Sequence, residues 1–234
     1  MTRIIQKEKL SNQVYNVLKE MIIDHRFQPG SRLNVEQLAR EMGVSRTPVW
    51  EAVGRLEQEG LLENIPNRGV FMATLTPQTA FELYQVREEL EALAASLAAP
   101  RIEDSVLEQM EKCLEEQREV IEKADLVAYS RLDFDFHAAV YLASGSQVLQ
   151  ELLGTIKNKM RPLNLQVKPL LSRFYQDHRE ILAALKSHDP KAAAAAFRKH
   201  NNKMKEIMRQ EMNSQTNDDL PETSERILKK QQVN

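Results

Sequence analysis

The apolar positions in the first third of the chain change period twice. Val14, Val17, Leu18, Met21 and Ile22 repeat at helical spacing, which predicts a helix from about Ser11 to His25. The pair Pro29-Gly30 then marks a turn. Val35, Leu38, Ala39 and Met42 share one face of a short second helix, and Gly43 stands where glycine closes a helix. A third helix begins two residues later. Val49, Ala52, Val53 and Leu56 form its apolar stripe, Ser45 or Thr47 can cap it, and Pro48 is tolerated in its first turn. Past Gly60 the pattern shortens to strand-like runs. Leu61–Ile65 and Val70–Ala73 flank the turn-rich Pro66-Asn67-Arg68-Gly69, the signature of a small β-hairpin. Helix, short helix, tight turn, helix, hairpin is the order of a winged helix-turn-helix.

Beyond Thr76-Pro77, a helix-start signal, almost everything reads as amphipathic helix. The spacing predicts helices near 77–99, 103–123, 125–144, 146–163, 170–187 and 190–211. Ser144-Gly145-Ser146, Pro162, Pro169 and His188-Asp189-Pro190 mark the breaks. The expected fold is mainly α. A winged helix-turn-helix with a small hairpin wing occupies 1–74, an all-helical bundle 75–212, and a polar flexible tail 213–234. Residues 1–10 read as a mobile basic arm.

Composition narrows the setting. The single cysteine, Cys113, excludes an intrachain disulfide and fits a reducing cytoplasm. No stretch approaches the roughly 18 apolar residues of a membrane span, and no apolar run follows the basic N-terminus as in a signal peptide. A net charge of -2 announces no nucleic-acid partner. Residues 1–74 carry ten Lys/Arg against nine Asp/Glu, an excess with the sign a DNA binder needs but too small to decide.

The third helix carries more. Opposite its buried stripe stand Arg46, Thr47, Trp50 and Gly54. In a helix-turn-helix the N-terminal end of this helix enters the major groove. Arg46 is suited to bidentate contact with guanine and Thr47 to a phosphate. Arg68 at the hairpin tip reaches toward backbone or minor groove, and Gly69 supplies a positive φ if the turn needs one. Arg32, Ser45 and Arg55 complete the set expected to meet DNA. The segment PGSRLNVEQLAREMGVSRTPVWEAVGRLEQEGLLENIPNRGVFM resembles the DNA-binding domain of GntR-family bacterial transcription regulators. The match spans about residues 8–74. One position departs: the family usually places an arginine that contacts DNA where this chain has Trp50. The indole either packs on a thymine methyl or sugar, or folds back on the wing.

A second constellation lies in the helical half. Asp133 and His137 are four apart, on one helix face that Val140 continues. His178 aligns with Phe174, Ile181, Leu182 and Leu185, and His200 with Ala193, Phe197, Met204 and Ile207. A lone histidine on an apolar stripe is ordinarily a hydrogen-bonded core residue. Three on separate helices, one with a carboxylate, are satisfied together by one divalent cation. Imidazoles and a carboxylate suit Zn, Ni, Mn or Fe. Arg87 shares a stripe with Leu83, Leu90 and Ala94, so it needs an anion: an internal Glu or Asp, or the carboxylate of a bound acid. The run EELE and the charge-rich helix at 103–123 read as solvated faces, and His25 and His188 as exposed helix ends.

The stretches LDFDFH and DHREILAALKSHDPKAAAAAFRKH are similar to the metal-binding form of the FCD effector domain, which follows the winged helix in the FadR subfamily of GntR regulators. The resemblance covers about residues 77–211. It implies Asp133, His137, His178 and His200 as metal ligands and Arg87 as effector contact. It also implies effector binding and dimerisation by residues 75–212, and a homodimer whose grip on pseudo-palindromic double-stranded DNA responds to a small carboxylic acid. Repression relieved by the acid is the expected sense. A metalloenzyme would need a general base beside the metal, and no residue is clearly placed for one. A constitutive DNA binder with a purely structural metal is the remaining alternative.

Overall fold

The computed structural model describes residues 9–160 and 170–218, with side chains to residue 213. Helix α1 (Leu10–Ile23) buries Val14, Tyr15, Leu18 and Ile22. Val17, expected on that face, is 43% exposed, and Tyr15 takes its place against the core. Helix α2 (Val35–Glu41) opens with the Asn34 side chain accepting from the Gln37 amide. Helix α3 (Arg46–Gln58) buries Pro48, Val49, Ala52, Val53 and Leu56. Ser45 occupies its N-cap position, yet no side chain makes the capping bond.

The hairpin forms as expected, from β2 (Leu62–Ile65) and β3 (Gly69–Met72). Asn67 and Gly69 both take positive φ in its turn. A third strand was not visible in the sequence pattern: β1 (Arg32–Leu33) pairs antiparallel with β3, Arg32 opposite Phe71 and Leu33 opposite Val70. The sheet order is β1-β3-β2. Two residues carry no periodicity, so the strand exists only because the wing returns beside it.

The bundle comprises α4 (Pro77–Ala98), α5 (Asp104–Glu122), α6 (Leu126–Ala143), α7 (Gln147–Met160), α8 (Leu171–Lys186) and α9 (Pro190–Asp218). Thr76 caps α4 by accepting from the Thr79 amide, and Asp189 caps α9 by accepting from the amides of Lys191 and Ala192. α9 runs past residue 211, so the expected polar tail begins inside a helix. Of the arm expected at 1–10, Leu10 already belongs to α1, while residues 1–8, the breaks at Pro162 and Pro169, and residues 219–234 lie outside the described residues. Phe136, Ile181, Leu185 and Phe197 are fully buried in one apolar cluster, while Tyr129, Met160, Leu171, Phe174 and Met208 form a second. Among the described residues no helix is long and apolar enough to cross a membrane.

Among the described residues, the contacts that join the halves include an ion pair and a close packing. Arg131 of α6 binds Asp24, just past α1, through both Nε and a terminal nitrogen. At Gly60, after α3, a Cβ would stand 3.3 Å from Cγ of Lys159 on α7, so the missing side chain makes room for that lysine's stem.

Candidate metal centre and nucleic-acid interface

Three helices bring the histidines together. α6 supplies His137, α8 His178 and α9 His200, all buried. Their ring centroids lie 5.3, 5.3 and 5.1 Å apart, and one nitrogen from each falls within 4.8 Å of the other two. Asp133, one turn before His137, points Oδ1 at the same space, 3.8 Å from His137 Nε2 and 3.5 Å from His178 Nε2. Imidazole nitrogens and a carboxylate oxygen converging on one space are the donor set of a divalent cation.

The outer nitrogens are already spoken for. His137 Nδ1 donates to Glu91 Oε1 at 2.7 Å, and His178 Nδ1 donates to Gln117 Oε1 at 2.9 Å. Acceptors there fix the tautomer that leaves each Nε2 lone pair facing inward. His178 Nε2 and His200 Nδ1 are buried without a hydrogen-bond partner. Burial pushes His137 down to about 4, with the Lys157 charge adding to the shift, and it pushes His178 well below the usual imidazole range. Both rings are neutral at neutral pH, the form that ligates metal. Burial alone would raise the carboxyl of Asp133, but the Lys157 ammonium beside it holds it well below the usual range.

Arg87 sits on α4 with its guanidinium 3.0 Å from Glu91 Oε1, so the internal acid considered above is present. Its Nε remains buried and unpartnered, and the side chain lines a cavity of about 460 Å³. Asp133, Lys157, Tyr129 and His200 line the same cavity. So do His25, Gln28 and Pro29, which belong to the turn between α1 and β1. The space is therefore walled by both halves of the chain.

Two expectations fail here. The run EELE is not a solvated face: Glu91 and Glu88 are 0% and 6% exposed. Glu91 also accepts from Tyr141 and from Asn201, making it the hub behind His137. The helix at 103–123 is not wholly solvated either, because Gln117 is buried behind His178. Sequence reasoning also missed Lys157, whose Nζ lies 2.8 Å from Asp133 Oδ2. The available signal for Glu91 was its place four residues after Arg87 on an inward stripe. His25 and His188 are exposed as expected, with His188 Nδ1 2.8 Å from the Ala99 carbonyl. Cys113 is half-buried beside Gln117 and the Leu132 carbonyl, and burial pushes its thiol up to about 11.

At the other end, Arg32, Ser45, Arg46, Thr47, Trp50, Arg55 and Arg68 are all exposed. Arg32, Arg46, Trp50 and Gly69 line one hollow of about 420 Å³ between α3 and the wing. Trp50 is 44% exposed there. A Cβ at Gly69 would come within 3.1 Å of Arg32 Nε, so this glycine permits both the turn and the arginine. Arg55 is differently engaged. Its guanidinium stacks 3.7 Å from the Tyr15 ring centroid and donates to Asn12, both on α1.

A winged helix-turn-helix joined to a helical bundle with a cavity between them is the architecture of a DNA-binding regulator. Residues 10–72 match the bacterial regulatory proteins of the gntR family, and residues 82–203 match the FCD domain. The chain belongs to the GntR family of transcription regulators and carries an FCD domain; it is not an enzyme. An uncharacterised HTH-type regulator of Bacillus subtilis, YdhC, is 33% identical over 81% of this chain and 87% of its own. The Escherichia coli repressor RspR is 26% identical over 89% of this chain and 93% of its own. The solved structure of E. coli McbR/YncC superposes with a TM-score of 0.77 at 26% identity, covering 88% of this chain and 100% of that one.

Proposed function

We propose that the protein is a homodimeric, cytoplasmic repressor whose FCD domain binds a divalent metal and a small carboxylic acid, and that the acid alters its hold on a pseudo-palindromic operator. Residues 1–74 bind DNA through Arg32, Ser45, Arg46, Thr47, Trp50, Arg68 and Gly69, with Arg55 at the edge of that face. Residues 75–212 sense and dimerise. The observation that carries the reading is three buried imidazoles, each with a nitrogen within 4.8 Å of the other two, beside a cavity that His200, Asp133 and Arg87 line.

Asp133, His137, His178 and His200 fit a divalent cation by chemistry as well as position. Two of the rings carry outer-shell acceptors, and His178 Nε2, buried beside Asp133 without a hydrogen bond, costs stability unless something binds it. Nitrogen with one carboxylate oxygen suits Zn, Ni, Mn or Fe. When bound, the metal supplies an electrophilic centre for a carboxylate. Arg87 then orients the acid through its spare donor. His25, Gln28 and Pro29 let the occupied cavity bear on the DNA-binding half. A ligand shifts the protein between arrangements only if it binds them unequally, and a wall shared by two domains supplies that inequality.

The dimer is supported by uncovered apolar residues on the bundle. Val86 and Leu93 of α4, Leu142 at the end of α6, and Val148 and Leu152 of α7 are each 48–68% exposed. Five large apolar side chains on adjoining helices exceed the scattered singles of a monomer surface. Repression follows the name of the relative RspR.

The test is elemental analysis of purified protein with a thermal-shift screen of small carboxylic acids, before and after chelation. About one metal per chain, and an acid that raises the melting temperature only with metal present, is the expected result. Metal without any acid response would instead favour a structural ion in a constitutive DNA binder. Absence of metal would overturn the centre itself.

A further inference from the structure

Lys157 is the least expected member of the cavity wall. It is 8% exposed on α7, facing α6 rather than solvent. Its ammonium has three donors. One meets Asp133 Oδ2 at 2.8 Å, and a second meets the Asp133 carbonyl at 3.1 Å. Asp133 thus divides its oxygens, Oδ2 to the lysine and Oδ1 toward the imidazoles. The lysine can therefore hold its place while Oδ1 serves a cation. Its third donor is left for the cavity, where Nζ also stands 5.4 Å from the ring centroid of Phe134.

The charges nearby can be balanced one against another. Arg87 and Lys157 are positive; Glu91 and Asp133 are negative. Asp177 is matched by Lys203. Imidazoles ligate a metal in their neutral form. These ion pairs cancel one another, so a divalent cation held by neutral imidazoles adds two positive charges that none of the pairs offsets. Uncompensated charge in a mostly buried site is costly. A monocarboxylate cancels one charge and leaves the other.

Two further groups await a partner on the same wall. Arg87 Nε and the Tyr129 hydroxyl are both buried without a hydrogen bond, and both residues line the cavity. Tyr129 is 6% exposed, so water from bulk does not readily serve it. Arg87 and Lys157 lie on different helices, which suits a ligand with acidic groups at two ends.

Building on the metal-and-acid reading above, we propose that Lys157 is a second anion-binding residue of the cavity and that the effector is a dianion carrying two acidic groups. Arg87 and the metal take one group. Lys157 takes the other, with Tyr129 as a neutral donor beside it.

The experiment uses full-length protein loaded with Zn²⁺ and titrated calorimetrically with succinate and with butyrate. These acids share a four-carbon length and differ in the second carboxylate. Succinate should bind roughly tenfold or more tightly, the scale of one charge-assisted hydrogen bond. Lys157→Met, close in length and volume, should bring the ratio near one while keeping one zinc per chain. Lys157→Arg should restore most of the preference. Equal affinity of the two acids for the wild type, failure of both to bind it at millimolar concentration, or an unchanged ratio in Lys157→Met would each overturn the proposal. Loss of zinc from Lys157→Met would also overturn it, reassigning the lysine to support of Asp133. Failure of the wild type to hold zinc at all is a different result, and it strikes the metal centre rather than this ligand.

Discussion

Arg131 and Asp24 join the helical bundle to the DNA-binding domain by a two-pronged contact on one carboxylate oxygen. Arg131 lies two residues before Asp133 on α6. One helix therefore carries a proposed metal ligand and, half a turn away, a tie to the other domain. α7 repeats the arrangement, with Lys157 on the cavity and Lys159 against Gly60.

Arg131→Ala should separate coupling from stability. The pair is about half exposed, with side chains 52% and 42% accessible, so its loss should cost no more than about 1 kcal/mol of unfolding free energy. Operator affinity should change less between acid-free and acid-saturated protein than in the wild type. Fluorescence titration of labelled operator DNA checks this. An undiminished acid response would remove the ion pair from the coupling.

Glu91→Ala should be far more damaging. Glu91 is fully buried and receives Arg87, His137, Tyr141 and Asn201. Removing one partner of a buried ion pair leaves the other charge stranded, at about 3–5 kcal/mol. Urea unfolding in the presence of chelator measures the loss without contribution from metal. A change under about 1 kcal/mol would show that Arg87 finds another anion or reaches water.

Arg46→Ala and Arg55→Ala should diverge although the two side chains share a helix. Arg46 is exposed beside Trp50 and the wing, and its loss should cost about 1–3 kcal/mol of specific operator binding if it reads a base. Arg55 packs on Tyr15 and bonds to Asn12, so its loss should lower the melting temperature more than the DNA affinity. Equal loss of DNA affinity in both variants would return Arg55 to the contact surface.

Trp50→Arg should restore a cation on the face the indole now occupies. One added phosphate contact steepens the slope of log affinity against log salt by about 0.9. Binding isotherms at several salt concentrations decide it. An unchanged slope would place residue 50 away from the phosphates.

The histidine centre was legible because its residues break a pattern. His137, His178 and His200 interrupt apolar stripes, and imidazole at an inward position demands an explanation. Glu91 broke no such pattern. Among Glu88, Glu89 and Leu90 it reads as part of a surface run, and only the packing of α4 against α6 and α9 turns it inward. Lys157 hides for a similar reason: two lysines spaced by one residue near a helix end look solvated, yet the cavity draws one in and the domain contact takes the other. The winged helix was readable from element order, except β1, whose two residues are a strand by virtue of β3 alone.

The three imidazoles stand at positions 137, 178 and 200, on helices far apart along the chain. In the unfolded chain they are scattered. A cation held among them binds the folded form alone, so its free concentration enlarges the folded population. Proteases that attack transiently opened chains then find fewer of them. The abundance of this regulator would thereby track the cell's metal supply, a second output that requires no operator.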